Sequence, residues 1–269
     1  LDMILVIVFG QGVRGVALAT LIAQGISAVI SFALLMRKLK GYREEEKVRL
    51  YSGEMAASMV KIAVPSTLQQ SIVHVGILLV QAVINSFGST ALAGYSAGMR
   101  IESLSIVPML AMGNAMSTFT AQNMGAGNID RVKKGYQMCY VIVLTAGAVL
   151  CIMYQLAGGM FVSLFLDSGS SEAYNIGLSY VRFLSFFYSF IGLKASADGL
   201  LRGAGDVVAF TVANLVNLAI RVSVTNLFAP VYGIQVAWMA VPLGWAANYV
   251  ISFGWYLTGK WKNVRVIRK

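Results

Sequence analysis

Apolar residues occur in long blocks that short polar or charged stretches separate, and most of these blocks are long enough to cross a membrane. A helix of about 20 apolar residues spans a bilayer. The pattern predicts complete helices over residues 16–36, 62–87, 90–122, 136–166, 174–200, 207–230 and 233–257. A shorter apolar run at 1–10 is interpreted as part of a membrane helix that begins before this sequence.

Two neighbouring predicted helices carry polar residues on one side only. At about 100° per residue, these positions fall within one arc of each helix. The first stripe contains Ser66, Gln70, His74, Gln81 and Asn85, and the second contains Ser96, Arg100, Ser103, Asn114, Thr118 and Gln122. A polar stripe on a membrane helix faces protein or a water-filled cavity. The stripes therefore predict a cavity, or else hydrogen bonds that join helices to one another.

Composition supports a membrane protein and weakens other classes. Hydrophobic residues make up 58% of the chain and charged residues 12%, with a mean hydropathy of +0.73, whereas soluble domains contain about 25% charged residues. The periodicity is helical, which excludes an outer-membrane barrel. The net charge of +10 lies mostly between apolar blocks, so membrane lipids are expected partners and nucleic acid is not.

Chemical motifs for catalysis or cofactor binding are not found in the sequence. The one His and two Cys do not form a plausible zinc site, and the sequence contains neither a nucleophile–base pair nor a nucleotide fingerprint. We therefore predict a protein that is not an enzyme, and that has no cofactor and no bound metal.

Basic residues occur in alternate loops. Segments 37–54, 123–135 and 201–206 and the C-terminal tail carry nearly all the loop Lys and Arg, whereas loops 85–90, 167–173 and 229–233 carry none. The positive-inside rule places the basic loops in the cytoplasm. The sequence thus predicts a multi-pass protein of the cell (inner) membrane with a cytoplasmic C-terminus.

The chain contains an internal repeat that suggests how it is divided. The segment from Gly12 to Val29-Ile-Ser-Phe32 aligns without gaps with the segment from Gly233 to Val250-Ile-Ser-Phe253. Such a parallel repeat is typical of transporters built from two similar halves. We interpret 1–36 as the end of a first lobe, 37–54 as an inter-lobe loop, 55–260 as a six-helix lobe and 261–269 as a basic tail. We also expect 1–36 not to pack as an integral part of the later bundle.

Several stretches resemble the multidrug and toxic compound extrusion (MATE) transporters. The most specific are the loop QNMGAGN at 122–128 and the loop LRGAGD at 201–206, together with INSFGSTALAGYSAGMRIESL at 84–104. The resemblance covers nearly the whole chain. It implies twelve helices in two six-helix lobes, of which this chain carries the C-terminal one, and export of amphipathic drugs in antiport with Na⁺ or H⁺.

The chain departs from the family pattern at two coupling positions. Several family members carry a cation-coupling Glu on the first helix of this lobe, where this chain has Val73. They carry an Asp further along, where this chain has Ile191. Other members resemble a second scheme, with a coupling Asp in the N-terminal lobe.

Charged residues within the predicted spans are the strongest physical signal, since burying a charge in lipid is costly. Arg100, Arg182 and Arg221 lie on polar stripes at a similar depth, about 12–15 Å from the ends of their helices. They either line a central cavity or form structural pairs. The candidate cavity residues are Gln70, His74, Gln81, Asn85, Arg100, Asn114, Arg182, Asn214, Asn217 and Arg221.

Three further residues are candidates for coupling. Glu102 is too close along the helix to face Arg100, so we expect it to meet a donor from another helix. Lys194 and Asp198 are spaced to form an i, i+4 pair, which either neutralises itself or relays protons. His74 either titrates near neutral pH or is a hydrogen-bonded core residue.

Secondary active efflux is the leading functional hypothesis. Small-molecule substrates and the N-terminal lobe of the same protein are the predicted partners. The alternatives are a flippase of a lipid-linked saccharide or cell-wall precursor, which the three Arg favour, and a channel or scaffold. A cavity with three Arg would accept anionic or zwitterionic substrates better than a cation-only pump would.

Overall fold

The computed structural model of the chain describes residues 4–40, 52–167 and 172–263, with the side chains of Lys40, Asn263 and part of 54–70 left out. The chain divides into two compact units, 1–57 and 58–269. The first described residues form a π-helical segment, Ile4–Val8, and the helix α1, Gly12–Lys40. The later helices are α2 (Gly53–Asn85), α3 (Ser89–Gly125), α4 (Ile129–Ser163), α5 (Glu172–Ser185), α6 (Tyr188–Gly203), α7 (Val207–Tyr232) and α8 (Gln235–Leu257).

The all-helical prediction is confirmed over the described residues, which contain no strand. Five of the helices are long and apolar enough to cross a membrane, or six if α5 and α6 form one bent span. The polar segment 129–135 was predicted as loop, but it forms the first turns of α4.

The predicted helix 174–200 is interrupted near its middle, which the sequence pattern did not indicate. Helices α5 and α6 meet at an angle of 54°. The Arg182 carbonyl accepts hydrogen bonds from the Ser185 hydroxyl (2.7 Å) and from the Gln155 amide on α4 (2.8 Å). Side chains that bond to the backbone carbonyls of a helix in this way are a recognised feature of helix bends.

Helices α3 and α6 form the centre of the second unit, with α4, α5 and α8 packed around them. Small residues allow the two central backbones to approach closely. A Cβ added at Gly199 would collide with the Gly113 carbonyl, and one at Gly203 would collide with the Ser117 carbonyl. Close approach through small residues is the usual way that membrane helices associate.

Loops join the helices at two ends of this bundle. One end carries the α3–α4 and α6–α7 loops and the segment after α8, near which lie Arg131, Lys133, Lys134, Arg202, Lys260 and Lys262; we call it the basic end. The opposite end carries the turns at Gly88 and Gly233, whose φ values of 90° and 94° favour glycine. Large apolar side chains between the ends are exposed, among them Leu78, Val107, Val141 and Leu227.

Candidate functional site

A cavity of about 210 Å³ lies between α2, α3 and α7. We call it the Glu102 cavity. Its wall is partly apolar and partly polar, and it contains one carboxylate and one guanidinium. The lining residues are Gly76, Ile77, Val80, Gln81, Tyr95, Met99, Glu102, Ser103, Ile106, Leu218 and Arg221. A cavity with a mostly apolar wall and few polar groups is typical of small-molecule sites.

Glu102 is the buried acid of this cavity, with a residue exposure of 8%. The Tyr180 hydroxyl on α5 donates a short hydrogen bond to one of its carboxylate oxygens. This confirms the prediction that Glu102 meets a donor from another helix. The Tyr180 ring packs edge-on against Tyr95 at 5.3 Å and against Trp238 at 5.6 Å between ring centroids. The aromatic packing fixes the hydroxyl toward the carboxylate.

Arg221 reaches the same cavity from α7. The described residues form two ion pairs within 4.0 Å, Lys133–Asp130 and Lys194–Asp198. Arg221 is therefore not ion-paired with Glu102. Gly244 on α8 leaves room for it: an added Cβ would lie 3.0 Å from the Arg221 Cγ and would collide with the Asn217 amide oxygen. That Asn217 oxygen is buried without a hydrogen-bond partner in the part of the chain that the structure describes.

The other two stripe arginines lie away from this cavity wall. Arg100 is exposed on α3, one residue after the lining residue Met99. Arg182 is exposed on α5 and lies over Gly158 of α4, where an added Cβ would be 3.7 Å from the Arg182 Cγ. The structure thus brings Arg221 together with Glu102, and it does not gather all three arginines around one described cavity.

The remaining stripe residues are spread over α2 and α3. Gln81 donates to the Asn85 side chain (3.0 Å) on the same helix, and His74 is exposed. Asn114 accepts a hydrogen bond of 2.7 Å from Arg202, near the basic end. The side chain of Gln70 lies outside the described residues.

A second polar cluster joins α6, α7 and α8 toward the basic end, and we call it the Asp198 cluster. Lys194 and Asp198 form the predicted i, i+4 ion pair, at 3.0 Å. The Lys194 ammonium also donates to the Asn214 amide oxygen (3.0 Å), and the Asn214 amide donates to Asp198 (3.2 Å). From α8, the Ser252 hydroxyl donates to the other Asp198 oxygen at 2.8 Å.

Sequence reasoning missed several residues of both clusters. Tyr180, Tyr95 and Trp238 were not singled out, because an aromatic residue in an apolar span looks like ordinary core. Ser252 was noticed only as part of the repeated Val-Ile-Ser-Phe tetrapeptide. Among the described residues, no group of three or more His, Cys, Asp or Glu could hold a metal ion.

The described helices are those of a helical membrane protein with a partly polar cavity, and comparisons with known proteins identify the family. The MatE family profile matches residues 65–227. The chain therefore belongs to the MATE family of multidrug efflux transporters, and it is an integral protein of the cell membrane.

Relatives and solved structures agree with this assignment. The chain is 27% identical over 261 residues to the probable multidrug resistance protein YpnP of Bacillus subtilis, covering 96% of this chain and 58% of YpnP. It is also 27% identical over 168 residues to an FAD transporter of Shewanella oneidensis. This alignment covers 59% of this chain and 36% of the FAD transporter.

Two solved structures share the fold. An outward-facing MATE transporter superposes with a TM-score of 0.83 at 22% identity, covering 98% of this chain and 60% of that one. A transporter of the MOP superfamily from Pyrococcus furiosus superposes with a TM-score of 0.82 at 21% identity and with the same coverage. The chain thus spans about three fifths of the length of these transporters.

Proposed function

We propose that this chain is part of a secondary active multidrug exporter, which moves amphipathic small molecules by alternating access in antiport with Na⁺ or H⁺. The observation that carries the proposal is the Glu102 cavity, which presents a buried carboxylate and a guanidinium within a MATE-type bundle. A carboxylate at this depth is costly to keep charged. When a coupling cation binds to the carboxylate, that cost is relieved. When the cation is released, the cavity has room for a substrate.

Glu102 is the coupling residue in this proposal. Val73 and Ile191 replace the two acids that several family members use in this lobe. Glu102 on α3 is instead buried at the wall of the cavity, where a Tyr donor holds it. Asp198 is a weaker candidate, because Lys194 already neutralises it.

Residues 55–260 form the C-terminal six-helix lobe of a twelve-helix transporter, and the substrate passes between this lobe and an N-terminal lobe to which 1–36 belong. The coverage of three fifths of each solved transporter supports this division. The exposed apolar surface of the described helices suits contact with lipid and with a second lobe.

The basic end faces the cytoplasm in this proposal, because cytoplasmic loops carry the excess of Lys and Arg. The test is labelling of single cysteines in intact cells, in a variant that lacks Cys139 and Cys151. A cysteine at Ser89 should react with an impermeant reagent, and one at Arg43 should react only after the cells are permeabilised. Ser168, a second outer position, lies like Arg43 outside the described residues. The opposite labelling pattern would overturn the orientation.

The coupling proposal is tested with the full-length protein in liposomes. An imposed proton or Na⁺ gradient should make the parent protein concentrate a cationic dye. Glu102→Gln can still accept the Tyr180 hydrogen bond but carries no charge, so we expect gradient-driven accumulation to fall at least tenfold. Glu172→Gln is the matched control, because Glu172 is exposed at the start of α5; this variant should accumulate dye like the parent.

Two results would contradict the proposal. Undiminished accumulation by Glu102→Gln would remove Glu102 from the coupling mechanism. Dissipation of a dye gradient by the parent, without accumulation, would indicate a channel.

A second candidate is export of an anionic, phosphate-bearing molecule, either a nucleotide or the precursor that a flippase carries. Two observations favour it: Arg221 lines the cavity, and one of the relatives is an FAD transporter. Arg221→Ala should then reduce transport of an anionic dye more than that of a cationic dye. Equal transport of both dyes would remove this alternative.

A further inference from the structure

The Asp198 cluster places a carboxylate oxygen and an amide oxygen next to a single ammonium group, with a hydroxyl on the far carboxylate oxygen. The Lys194 Nζ lies 3.0 Å from an Asp198 oxygen and 3.0 Å from the Asn214 amide oxygen. The Ser252 hydroxyl is bonded to the second Asp198 oxygen, and the Asn248 amide oxygen lies 3.5 Å from that hydroxyl. Carboxylate, amide and hydroxyl oxygens from three helices are the ligand types that hard cations prefer.

The Asp198 side of the cluster is buried, whereas Lys194 and Asn214 are half-buried. Asn248 and Ser252 have no exposed surface, and Asp198 is 5% exposed. The amide nitrogen of Asn248 is buried without a hydrogen-bond partner in the described part of the chain. Only the oxygen of this side chain is therefore held, by the Ser252 hydroxyl. A carboxylate so enclosed within a membrane span requires a positive charge next to it.

Lys194 supplies that charge from within the same helix. Its side chain is 14% exposed, so the ammonium enters the cluster from one edge and contacts one Asp198 oxygen, while the Ser252 hydroxyl donates to the other. An ammonium group and a hydrated alkali cation carry the same charge, and each takes only oxygen partners here. The lysine therefore occupies the position in which a free cation would neutralise Asp198.

We propose that the Asp198 cluster is a site for a monovalent cation whose resident occupant is the tethered ammonium of Lys194. In the parent protein the lysine excludes Na⁺ from the cluster. Removal of the ammonium leaves the Asp198 and Asn214 oxygens that it contacts, backed by Ser252 and Asn248, as a site that takes up Na⁺. This inference goes beyond the proposed transport function, because it concerns cation binding and not export.

Thermal unfolding of the full-length protein in detergent, with NaCl titrated against choline chloride at constant ionic strength, tests the proposal. Lys194→Ala should show a saturable rise of the unfolding temperature with Na⁺, beyond any response of the parent. The rise should be about 3 °C at ten times the dissociation constant. Lys194→Ala combined with Asp198→Asn should lose the added response.

Lys133→Ala is the matched control, since Lys133 forms an ion pair of 2.7 Å with Asp130 whose side chain is 88% exposed. Removing that lysine should create no Na⁺ response, because water already solvates the acid. If Lys194→Ala does not fold, Lys194→Gln provides the second test, since its shorter neutral amide keeps polar contact without supplying charge. No added Na⁺ response in a folded Lys194 variant would overturn the cation site and leave the pair as a structural link.

Discussion

The Glu102 cavity and the Asp198 cluster hold their carboxylates by different means. Glu102 receives a hydrogen bond from Tyr180 and shares a cavity of about 210 Å³ with Arg221, which is not ion-paired with it. Asp198 has an ammonium at 3.0 Å and further donors from α7 and α8. The first acid is accessible from a cavity, and the second is enclosed by its own partners.

This difference separates a site that can exchange ligands from one that is already occupied. A neutral donor stabilises a carboxylate without cancelling its charge, so Glu102 retains an attraction for a cation. A lysine at hydrogen-bond distance cancels the charge of Asp198, and the cluster as a whole joins three helices. Coupling is therefore expected at Glu102, and stability is expected to depend more on Asp198.

The largest expected effect comes from Asp198→Ala, which leaves the half-buried Lys194 without a counter-charge. Removing one partner of a buried pair costs about 3–5 kcal/mol, so the unfolding temperature of the full-length protein should fall sharply. The double variant Lys194→Met, Asp198→Leu should recover most of this loss, because apolar residues can replace such a pair. If the separate effects of Lys194→Met and Asp198→Leu simply add in the double variant, the residues do not interact and the comparison fails.

Gly98→Ala should have an intermediate effect on the other region. The added Cβ would lie 2.6 Å from the Tyr180 ring, and relieving such overpacking costs about 1–3 kcal/mol. The ring shift would also move the hydroxyl away from Glu102, so gradient-driven transport should decrease. Gly125→Ala on the same helix meets nothing within 4 Å and should preserve both stability and transport. If the Gly98→Ala variant is as stable and as active as the parent, neither stability nor transport depends on the position of the Tyr180 ring.

Tyr180→Phe should have the smallest effect on stability. It removes one hydrogen bond while keeping the ring contacts with Tyr95 and Trp238. Such bonds between membrane helices contribute about 0.6 kcal/mol on average. Thermal unfolding should therefore change little, whereas the ion concentration that gives half-maximal transport should shift, because Glu102 loses its donor. An unchanged ion dependence would mean that Tyr180 does not influence coupling.

Much of the fold follows from local pattern. Apolar blocks located the helices, and the loops QNMGAGN and LRGAGD pointed to the MATE family. The Lys194–Asp198 pair was predictable because i and i+4 positions meet on any helix. The interruption between α5 and α6 was not predictable, since the segment Phe183–Phe187 contains neither Pro nor Gly. The Gln155 side chain that bonds to the backbone at this interruption comes from another helix.

The sequence by itself determined where the helices lie, which loops carry positive charge and which acids fall within spans, because these properties depend on neighbours along the chain. Tertiary structure alone decided that Tyr180 meets Glu102, that Arg221 shares their cavity and that Ser252 meets Asp198. Each of these contacts depends on how two helices are rotated and shifted against each other. Packing sets that rotation and shift, through close approaches such as Gly113–Gly199 and Gly98–Tyr180, and helical periodicity carries no information about it.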